Sequence, residues 1–173
     1  MRKILLSLFF ICLFTKAFTL DSISIIGGIC TPIKKVETRY FITAPCVDIN
    51  YSHTFNNKLL LGADVSFFYQ KEDPARRLLN NYLIDFTTNI GLSLILKDFS
   101  IAPQLSIGYA KYYFHNSISN STENLNLLCY GILIDFSYTY SENYKIIMRP
   151  ELVFYDNKFL SPIKLLIGLG IIF

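Results

Sequence analysis

The chain has 173 residues, of which 52% are hydrophobic and 17% charged, with no tryptophan. A composition this apolar excludes a disordered chain, and the length is that of one domain. The formal charge of +3 also misleads: Arg2, Lys3 and Lys16 precede every acidic residue, and the 13 basic residues that remain face 13 acidic ones. A nucleic-acid partner therefore has no electrostatic support.

The N-terminus comes first. Arg2 and Lys3 open the chain, Ile4 to Phe14 form an uncharged apolar run, and Lys16-Ala17-Phe18-Thr19 offers small residues for cleavage. This is the layout of a secretory signal peptide, too short to span a bilayer. Residues 1–19 are expected to be removed near Ala17 or Thr19, leaving 20–173 as the mature domain. Cys12 raises a lipoprotein alternative, against which Phe9-Phe10-Ile11 lacks the small residue normally found before such a cysteine.

From Ser22 onward no stretch approaches the roughly 20 apolar residues of a membrane helix. What recurs is alternation with period two, the mark of strands with two unlike faces. Eight strands are predicted, at 22–31, 41–55, 59–70, 83–96, 100–114, 126–140, 144–155 and 160–173. In the third, Leu61, Ala63, Val65, Phe67 and Tyr69 share one face and Gly62, Asp64, Ser66 and Gln70 the other. The fourth, sixth and seventh repeat this division, with Asp85, Asp135, Arg149 and Glu151 on the polar side. Several of these strands reach the 9–11 residues that cross a bilayer obliquely. Tight turns are expected at 56–58, 97–99 and 141–143, alternating with longer polar connections at 31–40, 71–82 and 115–125. Short turns on one side and long loops on the other are the pattern of an outer-membrane barrel, and an even strand number puts both termini on the turn side, facing the periplasm.

Lipocalin-like soluble barrels share this period, with the faces reversed. An eight-strand barrel has an interior just wide enough for side chains. The polar face carries Asp48, Asn50, Asp64, Asp85, Asn89, Gln104, Asp135, Arg149, Glu151 and Lys164, with small neighbours such as Gly62, Gly108 and Gly168, while the other face is Ile, Leu, Val, Phe and Tyr. A water-exposed strand face usually carries far more charge than this one, so the apolar face is assigned to lipid. Tyr51, Phe55, Phe99, Tyr138, Tyr140 and Tyr144 gather toward the turns, and Phe41, Phe67, Tyr69, Tyr109, Tyr113 and Phe154 toward the loops, as two interfacial girdles would. Strand-forming propensity accounts for part of this aromatic content.

The last strand reads Ile163-Lys-Leu165-Leu-Ile167-Gly-Leu169-Gly-Ile171-Ile-Phe173. It resembles the C-terminal recognition strand of outer-membrane barrel proteins, with Gly168, Ile171 and Phe173 at the matching positions and Leu166 where a polar residue is common. Across nearly all of its mature length the chain is similar to the small eight-strand class as a whole. The resemblance implies an antiparallel up-and-down transmembrane barrel, monomeric, handled by the barrel-assembly machinery and contacting outer-membrane lipids.

Within such a barrel, pairing about Glu142 sets Asp135 opposite Arg149, and pairing about 157–158 sets Glu151 opposite Lys164. With Asp64 and Asp85 these form an expected lumen charge network, since unpaired inward charge is costly. Pairing of the first two strands about residue 38 sets Cys30 opposite Cys46, leaving a disulfide and two inert thiols both open. No cofactor or metal motif is present. His53 lies near a turn, and His115 opens a segment with Ser117, Ser119 and Glu123, too ordinary a spacing to argue an enzyme. Asp73, Arg76 and Arg77 make the 71–82 connection the most charged and the best candidate for an external contact. The expected role is structural or surface-interacting, with a lumen filled by side chains. Two alternatives stand beside it: a narrow channel for small apolar molecules, and a soluble periplasmic ligand-binding barrel.

Overall fold

A computed structural model describes residues 19–33, 43–55, 58–70, 80–116, 121–156 and 162–173. The described residues form β1 (Thr19–Pro32), β2 (Ala44–Phe55), β3 (Leu59–Gln70), β4 (Asn80–Leu92), β5 (Leu94–Leu96), β6 (Phe99–Asn116), β7 (Ser121–Ser141), β8 (Tyr144–Tyr155) and β9 (Pro162–Ile172). Each pairs antiparallel with its sequence neighbour, except that both β4 and β5 pair with β6. They are two stretches of one stave, interrupted at Ser93, whose amide donates to Lys58 O across the turn at 2.6 Å. Antiparallel pairing of β1 with β9 closes the sheet into an eight-stave barrel. Closure matters because an open sheet edge would leave a row of backbone donors and acceptors unpaired.

The start of β1 and the residue after β9 meet at one rim, where Asp21 and Phe173 exchange backbone hydrogen bonds at 3.3 and 2.9 Å. The tight turns after β2, β5 and β7 lie at the same end, and Lys97 in the second of them takes a left-handed φ of 56°. This rim is the turn end; the opposite rim is the loop end.

Alternation decides which way every side chain points. Inward positions such as Asp48, Asp64, Asp85, Arg149 and Lys164 are buried, while outward ones such as Ile25, Leu105, Ile132, Ile167 and Leu169 are exposed. Among the described residues, the outward faces between the girdles carry no Asp, Glu, Lys or Arg, and Lys111, within the loop-end girdle, sets its ammonium 5.2 Å over the Tyr113 ring. Thr88, outward in this belt, donates its hydroxyl to Ile107 O at 3.2 Å. Tyr51, Phe99, Tyr138, Tyr140, Tyr144 and Phe173 ring the turn end, and Phe67, Tyr69, Tyr109 and Tyr130 the loop end. Ring pairs such as Tyr82–Tyr113 at 4.4 Å and Tyr140–Tyr144 at 6.0 Å stack within the girdles. Phe41 lies outside the described residues.

Two expectations are corrected. The 115–125 connection is mostly ladder: β6 and β7 stay paired out to Asn116↔Ser121. Hydropathy does not alternate there because an emergent hairpin has no apolar partner on either face, yet its backbone hydrogen bonds still favour the ladder. The register of the first hairpin is also shifted by two residues, its centre falling at residue 37, which pairs Cys30 with Ala44 and Cys46 with Gly28. The cysteines are thus diagonal neighbours, for which Cα atoms typically lie about 7–8 Å apart, beyond ordinary disulfide reach. Cys30, Cys46 and Cys129 are buried free thiols.

Tight coiling of an eight-stave barrel brings neighbouring backbones close at inward positions. A Cβ added at Gly168 would meet Ile25 O at 2.0 Å, and one at Gly28 would meet Leu165 O at 1.9 Å. These reciprocal glycines let β1 and β9 approach across the closing seam. Outward-facing Gly27 has its nearest neighbour, Cys46 O, at 4.0 Å. Gly168→Ala is expected to destabilise the barrel by about 1–3 kcal/mol through forced backbone displacement, and Gly27→Ala to stay within about 0.5 kcal/mol. Urea unfolding of both variants in lipid vesicles checks the contrast, and equal midpoints would contradict the seam argument.

Candidate functional site

The chemistry-bearing residues converge on the lumen, and β8 lists its layers in order. Its inward residues run Lys145, Ile147, Arg149, Glu151, Val153 and Tyr155 from the turn end to the loop end. Each begins a layer completed by inward residues of the other staves.

At the centre Arg149 is fully buried. Its Nε and Nη2 reach Asp135 Oδ1 and Oδ2 at 2.5 and 2.9 Å, a two-pronged contact with the neighbouring β7. Its Nη1 crosses the lumen to Asp64 Oδ1 on β3 at 2.9 Å. Both carboxylates have further donors. Gln104 Nε2 donates to Asp135 at 2.8 Å, Asn50 Nδ2 to Asp64 at 2.6 Å, and the Asn89 amide also to Asp64. Planar guanidinium geometry suits such forked recognition of carboxylates.

One layer toward the loop end, Lys164 stands among three carboxylates: Asp85 at 3.4 Å, Glu151 at 3.5 Å and Asp48 at 3.9 Å. Its ammonium donates to Ser66 Oγ at 2.8 Å, and the Tyr155 hydroxyl donates to Asp85 at 2.9 Å. Glu151 and Lys164 are also directly opposite in the β8–β9 register. Beyond them an apolar layer including Phe68, Leu83, Tyr112, Leu127 and the three thiols fills the loop end. At the turn end a cavity of about 250 Å³ is lined by Ser22, Ser52, Ser100, Ser137, Thr139 and Lys145, among others.

All six charged residues named from the sequence thus meet inside the barrel, in two clusters. Strand register could reveal the contacts between neighbouring staves, Arg149 with Asp135 and Glu151 with Lys164. The contacts of Arg149 with Asp64, and of Lys164 with Asp48, Asp85 and Ser66, cross the lumen and have no such signal. Tyr155 carried only its inward parity. His53 lies outside the lumen, hydrogen-bonded through Nδ1 to Asp21, which also accepts the Tyr51 hydroxyl at 3.0 Å. Gly168 and Ile171 sit on the closing strand, where Ile171 pairs with Ile23 and Gly168 with Ile26, and Phe173 follows its last residue. Asp73, Arg76 and Arg77 fall outside the described residues, as do Ser117, Ser119 and the side chains of His115 and Glu123. No group of three or more His, Cys, Asp or Glu among the described residues is arranged to hold a metal.

No protein-family model and no curated protein sequence matches this chain. Solved structures do. Neisserial surface protein A (NspA) superposes with a TM-score of 0.66 at 10% identity, over 88% of this chain and 96% of that one. Ail, the attachment invasion locus protein of Yersinia pestis, gives 0.58 at 16% identity over 90% and 97%. The outer membrane protein OprG of Pseudomonas aeruginosa gives 0.64 at 11% identity over 88% and 96%. At these identities the likeness establishes the fold, that of the small eight-strand outer-membrane barrels.

Arg149→Met would leave Asp64 and Asp135 buried without their counter-charge, a loss expected to cost about 3–5 kcal/mol. Adding Asp64→Asn and Asp135→Asn should recover part of it. The denaturant midpoint of the folded barrel and its resistance to heat on a gel read both effects; an unchanged midpoint in Arg149→Met would show that the cluster contributes nothing to stability.

Proposed function

We propose that this protein is an integral outer-membrane barrel with a structural or surface-interaction role, its lumen plugged by side chains. The observation that carries the reading is the inversion of the barrel. Charged groups such as Asp64, Asp85, Arg149 and Lys164 are locked inside while outward residues such as Leu105 and Leu169 stand 60% and 61% exposed. A continuous apolar belt of that size is unstable against water and requires lipid. The outer membrane is favoured because the neighbours in fold are outer-membrane proteins. On this reading residues 1–19 serve export, the turn end and both termini face the periplasm, and the barrel-assembly machinery reads the strand ending in Phe173.

A plug is favoured over a channel for apolar molecules by the lumen contents. Arg149 and Lys164 tie β8 and β9 to β3 and β4 across the interior, and a passing apolar molecule would have to break those contacts. A surface role is favoured by the loop end. The β7–β8 pairing stops at Cys129↔Tyr155, whereas β6 and β7 continue to Asn116↔Ser121. Residues 121–127 of β7 therefore have no strand partner on their second side among the described residues, and an edge of that kind accepts an extended peptide.

Because the natural chain has no tryptophan, a single introduced one reports on its surroundings alone. Leu105→Trp, facing outward, is expected to be strongly quenched in bilayers of brominated-acyl-chain lipid, and Ile147→Trp, facing inward, to be little affected. Recovery of the wild-type protein in the soluble periplasmic fraction would overturn the membrane reading. Planar-bilayer recording tests the plug: the wild type should give no regular conductance steps, and a stable open level would establish the channel instead.

A further inference from the structure

The lumen holds three cations among the described residues, and one of them is unlike the others. Arg149 and Lys164 each lie within ion-pair distance of at least two carboxylates. Lys145 has no carboxylate within that distance among the described residues, and its ammonium donates to Ser22 Oγ at 2.8 Å. Ser22 Oγ is itself 2.7 Å from Ser52 Oγ. An ammonium has three donors, so two remain for whatever fills the turn-end cavity that Lys145 lines.

The position of Lys145 is built into the fold. It lies directly opposite Gly170 on β9, and its stem runs over that glycine: a Cβ at residue 170 would come within 2.9 Å of Lys145 Cε and 3.1 Å of Cγ. Gly170 thus opens the path by which Lys145, rooted on β8, reaches past β9 to Ser22 on β1. Hydroxyls share this wall with apolar side chains: Ser100 and Ser137 are hydrogen-bonded at 2.7 Å, Thr54, Ser93 and Thr139 stand beside them, and Leu60, Ile95, Phe99 and Ile147 line much of the rest. Asp135 lines the same cavity, but its carboxylate is held by Arg149, so it reaches Lys145 only from beyond ion-pair distance. Glu142 and the Lys97–Asp98 turn stand at the mouth. A fixed cation flanked by hydroxyl donors, in a space of about 250 Å³ open at the rim, has the chemistry of an oxyanion receptor.

We propose that the turn-end cavity is a binding site for a small oxyanion, a phosphate or a short carboxylate, held by Lys145 and the hydroxyls of Ser22, Ser52 and Thr139. The site is independent of any surface role at the loop end.

The test is an NMR titration of the full barrel in lipid nanodiscs with inorganic phosphate, and separately with acetate, against sodium chloride at matched ionic strength. Saturable shifts at the amides of Ser22, Ser52, Thr139 and Lys145 are expected with at least one of the two anions. Lys145→Met should weaken the apparent affinity roughly ten- to a hundredfold, the usual range for one hydrogen bond to a charged group. Lys145→Gln serves the same purpose should the methionine variant fail to fold. Shifts that do not saturate with either anion, that chloride reproduces, or that persist at equal affinity in a folded Lys145 variant would overturn the site and leave a merely hydrated vestibule.

Discussion

Arg149 is the interaction around which the rest of the interior is arranged. A barrel with its apolar face outward must place its polar residues in a space too narrow for bulk water, where each charge has to find its counter-charge in the wall. Arg149 meets that requirement in two directions, holding Asp135 on the adjacent stave and Asp64 on the far wall. The amides of Asn50, Asn89 and Gln104 then take up the remaining carboxylate valence. Removing the guanidinium would strand several groups at once, so the layer acts as a unit. Lys164 repeats the device one layer away with a different balance, one ammonium among three carboxylates. Between them the two cations brace a sheet that has no core of the usual kind.

Much of this architecture was legible in the amino-acid order because a single rule, strict alternation, governs it. Eight staves and their faces follow from period two, and the strand boundaries agree with the structure to within a few residues except at the start of β7. Legibility failed where the rule has no force. Above the belt the β6–β7 hairpin continues with polar residues on both faces, so the ladder at Asn116↔Ser121 reads as loop. In the first hairpin the connection is long, and a two-residue offset preserves every side chain's face while separating Cys30 from Cys46. Such a slip is invisible to hydropathy, since only odd shifts exchange the faces. Within the lumen, local register fixes contacts between adjacent staves, but those of Arg149 with Asp64 and Lys164 with Asp85 depend on barrel curvature, which no local pattern encodes.

The same rule explains why the fold is shared at very low identity. NspA and Ail match it at 10% and 16% identity. A lipid-facing position asks only for an apolar side chain, and a lumen position only for charges and donors that balance within the wall. Neither demand names a residue, so sequences drift while the barrel stays. The specific elements are few: the glycines at the seam, the cations and their carboxylates, and the hairpin standing above the rim.

The seam between β1 and β9 also sets an order of events. Its pairs, such as Ser22↔Ile172 and Ile26↔Gly168, join residues far apart in sequence, and the Asp21–Phe173 backbone hydrogen bonds continue the seam to the rim. Until Phe173 has been synthesised the sheet has two raw edges and no way to satisfy them. Closure of the barrel therefore cannot be completed stave by stave as the chain is made. It is a late, concerted event, with the loop-closure entropy of nearly the whole chain to overcome before the final ladder forms.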